Sequence, residues 1–236
     1  MMGTDCFELP AKLAASFRKR LLVHMKGSSN IDDDELSLFE WYVKETETIY
    51  SQMYADEFRY IQEQNPDSPD YNDSGMIPVQ YFIKRSRYAH VIYLASLGET
   101  YLVHACSRLA ATLGKGIVFN LNEINGKKWE RERKFLERYG MFDIPGHIWD
   151  PLTKIYLVRN ALVHENGAIH VITEEEREEY RKKYKDAPGV NVDGIELEVQ
   201  PEFVVFGFSA LRAFMVYVNK KIAGVIDRAI QLRSVN

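Results

Sequence analysis

Apolar residues recur along this chain in steps of three and four. Leu13, Phe17 and Leu21 are four apart and predict a short helix over residues 10–25, because that spacing places side chains on one helix face. Gly27, Ser28, Ser29 and Asn30 break it. The pattern resumes with Leu36, Phe39, Val43, Thr46, Tyr50 and Met53, predicting a helix over 32–63. Asp32 with Glu35 is a capping-box-like opening, and the acids at 32–34 suit the positive helix end better than a metal site. Residues 65–75 form a loop rich in Pro, Asp, Asn and Ser. Asp70, Asn72, Ser74 and Gly75 match half of a calcium loop, but its last position is Tyr81 rather than a bidentate glutamate, so calcium is rejected.

A long helix is predicted over 79–113. Its stripe of Tyr88, Ile92, Ala95, Glu99, Leu102, Cys106, Leu109 and Leu113 faces a bundle. Residues 127–138 read as a charged helix with Trp129, Phe135 and Leu136 as its apolar points. Residues 147–164 read as another, carrying Ile148, Leu152, Ile155, Arg159 and Leu162. Glu99 and Arg159 each interrupt an apolar stripe. An isolated buried charge costs several kcal/mol, so the two are expected to approach one another. The plainer alternative is that helix drift leaves Glu99 at the edge of its stripe. Gly167 ends the second of these helices, where a left-handed cap is cheap.

Past Ile169 the pattern changes. Residues 173–185 form a short helix headed by three glutamates. Residues 190–199 alternate around Asp193-Gly194, a two-residue hairpin signal, and 201–206 extend that edge. The closing helix spans 209–232 with Leu211, Met215, Val218, Ile222 and Ile226 on one face. The expected fold is mainly α: an up-and-down helical bundle with extra helices and a small β-hairpin insertion. It forms one domain over 1–236, with its core at about 77–235 and N-terminal helices and a loop at 1–76.

Composition narrows the function. With 46% hydrophobic and 27% charged residues the chain is an ordinary globular one. A net charge of −4 argues against a broad non-specific nucleic-acid binder, but leaves room for a small basic site. No uninterrupted apolar run approaches the ~18–20 residues of a membrane span, and no leader is visible, so a cytoplasmic location without a membrane partner is expected. Only Cys6 and Cys106 are present, too few for a disulfide framework.

The informative segment holds Arg159, Asn160 and, after three residues, His164. Asn160 and His164 are four apart and share a helix face. Arg159 and His164 diverge by about 140° on an ideal helix. They meet only if the helix ends near His164 or a second chain completes the site. Histidine is the natural acid or base near neutral pH, and arginine suits the non-bridging oxygens of a phosphate. Asn160 orients one of them. The segment resembles the R-N-x-x-x-H signature of the HEPN superfamily, helical-bundle proteins of which many are metal-independent endoribonucleases in toxin–antitoxin and other defence systems. The resemblance extends over about 77–235, through the stretch bearing Arg87, Tyr88, Glu99, Leu102 and Cys106. It implies a homodimer with a shared cleft, catalysis by Arg159, Asn160 and His164 with Glu99 in support, no metal or other cofactor, an RNA substrate and an antitoxin partner. A non-catalytic helical dimer that binds a protein or nucleic acid is the alternative it also allows.

The other histidines carry less. His24 and His90 have no acid or cysteine at ligand spacing, His104 cannot be assembled with Cys106 into a zinc pattern, and His147 sits at a helix start. His170, six residues past His164, could approach the cleft. No phosphate loop, nucleophile elbow or nucleotide fingerprint occurs. Lys84, Arg85, Arg87, Lys127, Lys128 and Arg131 could line an RNA path or form a solvated face.

Overall fold

Six helices and two short strands follow one another along the residues that the computed structural model describes, namely 31–64, 76–114, 124–126, 128–169, 173–192 and 194–234. They are α1 (Ile31–Gln64), α2 (Ile77–Leu113), α3 (Lys128–Gly140), α4 (Gly146–His164), α5 (Glu174–Tyr184), β1 (Val190–Asn191), β2 (Glu198–Val199) and α6 (Pro201–Ser234). The helix expected over 10–25 and the loop over 65–75 lie outside the described residues.

The helix is the outcome wherever the three-four stripe is long. α2 runs through the middle and packs against α1, α3, α4 and α6. Its stripe is buried at Tyr88, Ala95, Leu102, Cys106 and Leu109, as the spacing requires. α6 contributes Phe203, Val204, Phe214 and Val218, all fully buried. One apolar cluster takes in residues of all six helices and of the hairpin. Where α2, α4 and α6 meet, Gly207 lies against Leu94 and Ile155. A Cβ there would fall 2.2 Å from a Leu94 methyl carbon, so a side chain at this position would have to displace Leu94 from the core. α6 is long and apolar enough to cross a membrane by length and composition, but half of its most apolar window is buried inside the bundle, as in a core helix.

Two local expectations are corrected. Residues 201–206 do not extend a sheet edge: they are the first turns of α6. Proline is favoured at the first helical position, where its missing N–H is not needed, and Phe203 and Val204 are drawn into the core. The hairpin forms, with Val190 opposite Val199 and Asn191 opposite Glu198, but without a two-residue turn at Asp193-Gly194. The returning chain pairs elsewhere. Ala168 bridges Glu196 antiparallel, Ile169 N–H donates to the Ile195 carbonyl at 2.8 Å, and Leu197 N–H donates to the Gly167 carbonyl at 2.6 Å. Backbone groups just past α4 would otherwise be buried unpaired, so they recruit that strand. α1 is already helical at Ile31, the first described residue, so Asp32 lies inside the helix rather than at its cap. α5 has the full capping box, with Thr173 and Glu176 bonded reciprocally.

Candidate functional site

α4 carries the Arg-Asn-x-x-x-His segment on its last two turns. Leu152, Ile155, Val158 and Leu162 anchor the helix in the core. The helix ends where the N–H groups of Glu165 and Gly167 both donate to the Ala161 carbonyl at 3.0 Å. Asn166 and Gly167 take φ values of 52° and 74°, a left-handed pair that asparagine and glycine tolerate best. Helical geometry thus persists through His164. It leaves that imidazole exposed on the same side as Asn160. Arg159 leaves the helix about 140° round from His164, is half-buried, and its guanidinium reaches back to donate from Nη1 to Asn160 Oδ1 at 3.0 Å. Arg159 and Asn160 are therefore joined within the chain, while the His164 side chain bonds neither of them.

Glu99 is not placed beside this segment. Arg85 on α2 meets Asn166, and Leu94 meets Ile155 across Gly207, so α2 and α4 run antiparallel. On that register Glu99 is level with Pro151, about eight residues or ~12 Å along the axis from Arg159. The Glu99 carboxylate instead accepts the Trp129 indole N–H at 3.2 Å, and that ring packs on Tyr156 of α4 with centroids 5.0 Å apart. A half-buried carboxylate with a donor from α3 needs no arginine from α4.

What surrounds the end of the motif helix is a clamp that the sequence did not reveal. Arg85 Nη1 donates to the Asn166 carbonyl at 3.1 Å and to Asn166 Oδ1 at 2.8 Å. Its Nη2 pairs with Glu196 at 3.3 Å, and its guanidinium lies over the rings of Tyr81 and Tyr88, 4.8 and 5.2 Å from their centroids. The Tyr88 hydroxyl donates to the Leu197 carbonyl, and its ring fills the space a Gly167 side chain would take. Burial, then the charge of Glu196, pushes that hydroxyl's pKa far up, which keeps it a donor. On the other side Tyr180 of α5 donates to Glu165 at 3.5 Å. Tyr184 is buried beside it, its hydroxyl pushed up to about 12 chiefly by burial. Arg85 was visible as one of several basic residues; its ties to residues 81 and 111 positions away were not.

The other sequence candidates disperse. Lys84 pairs with Glu196 at 2.5 Å, and Arg87 grips both oxygens of Glu47 at 2.7 and 2.9 Å. Arg131 belongs to α3, which packs on α2 toward its other end; the Lys127 and Lys128 side chains lie outside the described residues. His90 is buried between the Phe39 and Tyr42 rings, and burial lowers its pKa. His104 and His147 are exposed; His24 and His170 lie outside the described residues. Cys106 is buried and its thiol is pushed up by burial, then by Glu132, so it packs rather than reacts. Among the described residues, no three His, Cys, Asp or Glu side chains gather as a metal-ion site.

No family model matches this chain, and neither a curated protein nor a solved structure does.

Proposed function

We propose that the chain is a metal-independent endoribonuclease of the HEPN type, acting as a homodimer and serving as a toxin or defence effector. The observation that carries this reading is the exposed His164 at the end of α4, with Asn160 on its face and the Arg159 guanidinium bonded to Asn160. Within one copy the two side chains leave the helix about 140° apart. A two-fold partner sets the same patch against itself and so offers a second guanidinium to each imidazole.

In that cleft His164 moves the proton of the ribose 2′-hydroxyl, or returns one to the 5′-oxygen. Arg159 balances the charge gathered on the phosphorane, and Asn160 holds the Arg159 fork in place. The oxygen–phosphorus bond to the 5′-oxygen breaks as the bond from the 2′-oxygen forms. A 2′,3′-cyclic phosphate and a free 5′-hydroxyl result. RNA is required because DNA lacks the attacking hydroxyl.

The test is incubation of the purified protein with single-stranded RNA in EDTA. Cleavage that leaves cyclic phosphate ends, spares DNA and falls about 10²–10⁴-fold in His164→Ala supports the reading. Intact RNA, together with harmless expression of the wild-type chain, sinks it. The rival is a non-catalytic homodimeric binding module for a protein or nucleic acid. The Arg159–Asn160 bond favours it, since two side chains that satisfy each other also make a plain structural pair.

A further inference from the structure

A groove of about 760 Å³ opens between the C-terminal half of α1, the start of α2 and the hairpin loop. Its charged and aromatic walls are Tyr50, Tyr54, Tyr81, Lys84 and Arg87, with the carboxylates of Glu196 and Glu198. Tyr54 and Tyr81 are 42% and 56% exposed, although rings of that size usually find cover. The groove also adjoins the motif. Lys84 lines it, and the next residue, Arg85, bonds Asn166, two positions past His164.

We infer that this groove holds a single-stranded stretch of RNA next to the scissile phosphate, its bases stacked on Tyr54 and on the face of Tyr81 opposite Arg85, and its backbone touching Lys84 and Arg87. The inference rests on the ribonuclease reading and adds a substrate-binding site to it. Tyrosine faces accept any base, so contact here is tolerant of sequence. The cations are not free charges. Lys84 is held by Glu196 and Arg87 by both oxygens of Glu47. Each keeps N–H donors beyond those its carboxylate takes, since an ammonium has three and a guanidinium five. The carboxylates aim these donors and cancel most of the local charge. Binding therefore draws on stacking more than on counterion release, which sets this groove apart from an ordinary basic cleft.

The probe is a labelled single-stranded RNA of about ten nucleotides with 2′-O-methyl groups, which the wild-type chain cannot cleave because the attacking hydroxyl is blocked. Fluorescence anisotropy gives its Kd for the full chain. Tyr54→Ala and Tyr81→Ala should each weaken binding about 5- to 100-fold, the worth of one stacked base, while Tyr54→Phe and Tyr81→Phe should hold within about twofold. Tyr60→Ala, exposed on α1 but off the groove walls, is the control and should bind as wild type. The salt slope of log K should be shallow, about −0.7 to −1.4, as for one or two phosphates on a single strand. Thermal melts of each variant exclude unfolding as the cause. If the wild type cleaves unmodified RNA yet both alanine variants bind the probe normally, the groove assignment falls and the ribonuclease reading stands. A slope steeper than about −3 also overturns it, since that many phosphate contacts need a basic cleft. If the wild type neither binds nor cleaves, both fall together.

Discussion

The Arg85 guanidinium holds Asn166 twice, through its backbone carbonyl and its side-chain oxygen. Asn166 is the first of the two left-handed residues that end α4, so a side chain of α2 fixes where the motif helix stops. Arg85→Ala should therefore cost about 1–2 kcal/mol in urea unfolding, the range for charged hydrogen bonds partly open to water. Arg85→Lys should recover less than half of that, because one ammonium cannot span Asn166 and Glu196 as a fork does. Full recovery by lysine would show that only the charge matters there.

Gly167 tests the same joint from its other side. Its φ of 74° disfavours any side chain, and an added Cβ would lie 2.7 Å from the Tyr88 hydroxyl. Gly167→Ala should destabilise the fold by about 2–4 kcal/mol, combining left-handed strain with overpacking. Chemical denaturation reads this directly, and a loss below about 1 kcal/mol would mean that Tyr88 moves aside freely.

His90 should govern part of the acid sensitivity. Burial depresses its pKa below the ordinary 6.5, against the raising influence of Glu47. The unfolded chain thus takes up a proton near pH 6.5 that the folded chain refuses. The stability associated with a neutral His90 is complete above that pH and declines as pH falls below it, until the folded state also protonates. His90→Leu keeps the ring contacts' apolar character and should flatten the stability profile below about pH 6.5. An unchanged slope in that variant would place the acid sensitivity elsewhere.

Complementation between inactive copies tests the composite cleft. Arg159→Ala and His164→Ala chains should each be inactive alone. When mixed and allowed to exchange, half of the dimers are hybrids with one intact site of two, so about a quarter of wild-type cleavage should return. No recovery after proven exchange would mean that Arg159 and His164 act within one chain.

The long helices were legible because a three-four stripe can be buried in only one way, and the stripe residues of α2 and α4 lie inside apart from Ile92, Leu113, Ile148 and the two charges. The charges misled. Glu99 and Arg159 looked like partners because each broke a stripe, but pairing depends on the axial register between two helices, which neither stripe encodes. Trp129 from a third helix met Glu99 instead.

By itself, the sequence determined the helical class, the placement of Asn160 and His164 on one face, and the helix stop near Gly167. These follow from backbone geometry within a few residues. Tertiary structure alone decided that Arg85 and Tyr88 seal that stop, that Glu196 and Leu197 leave the hairpin turn to pair with the chain after α4, and that Pro201 opens a helix rather than an edge strand. Each of these satisfies a backbone group or fills a space that exists only once distant segments have packed, so no local spacing could announce it.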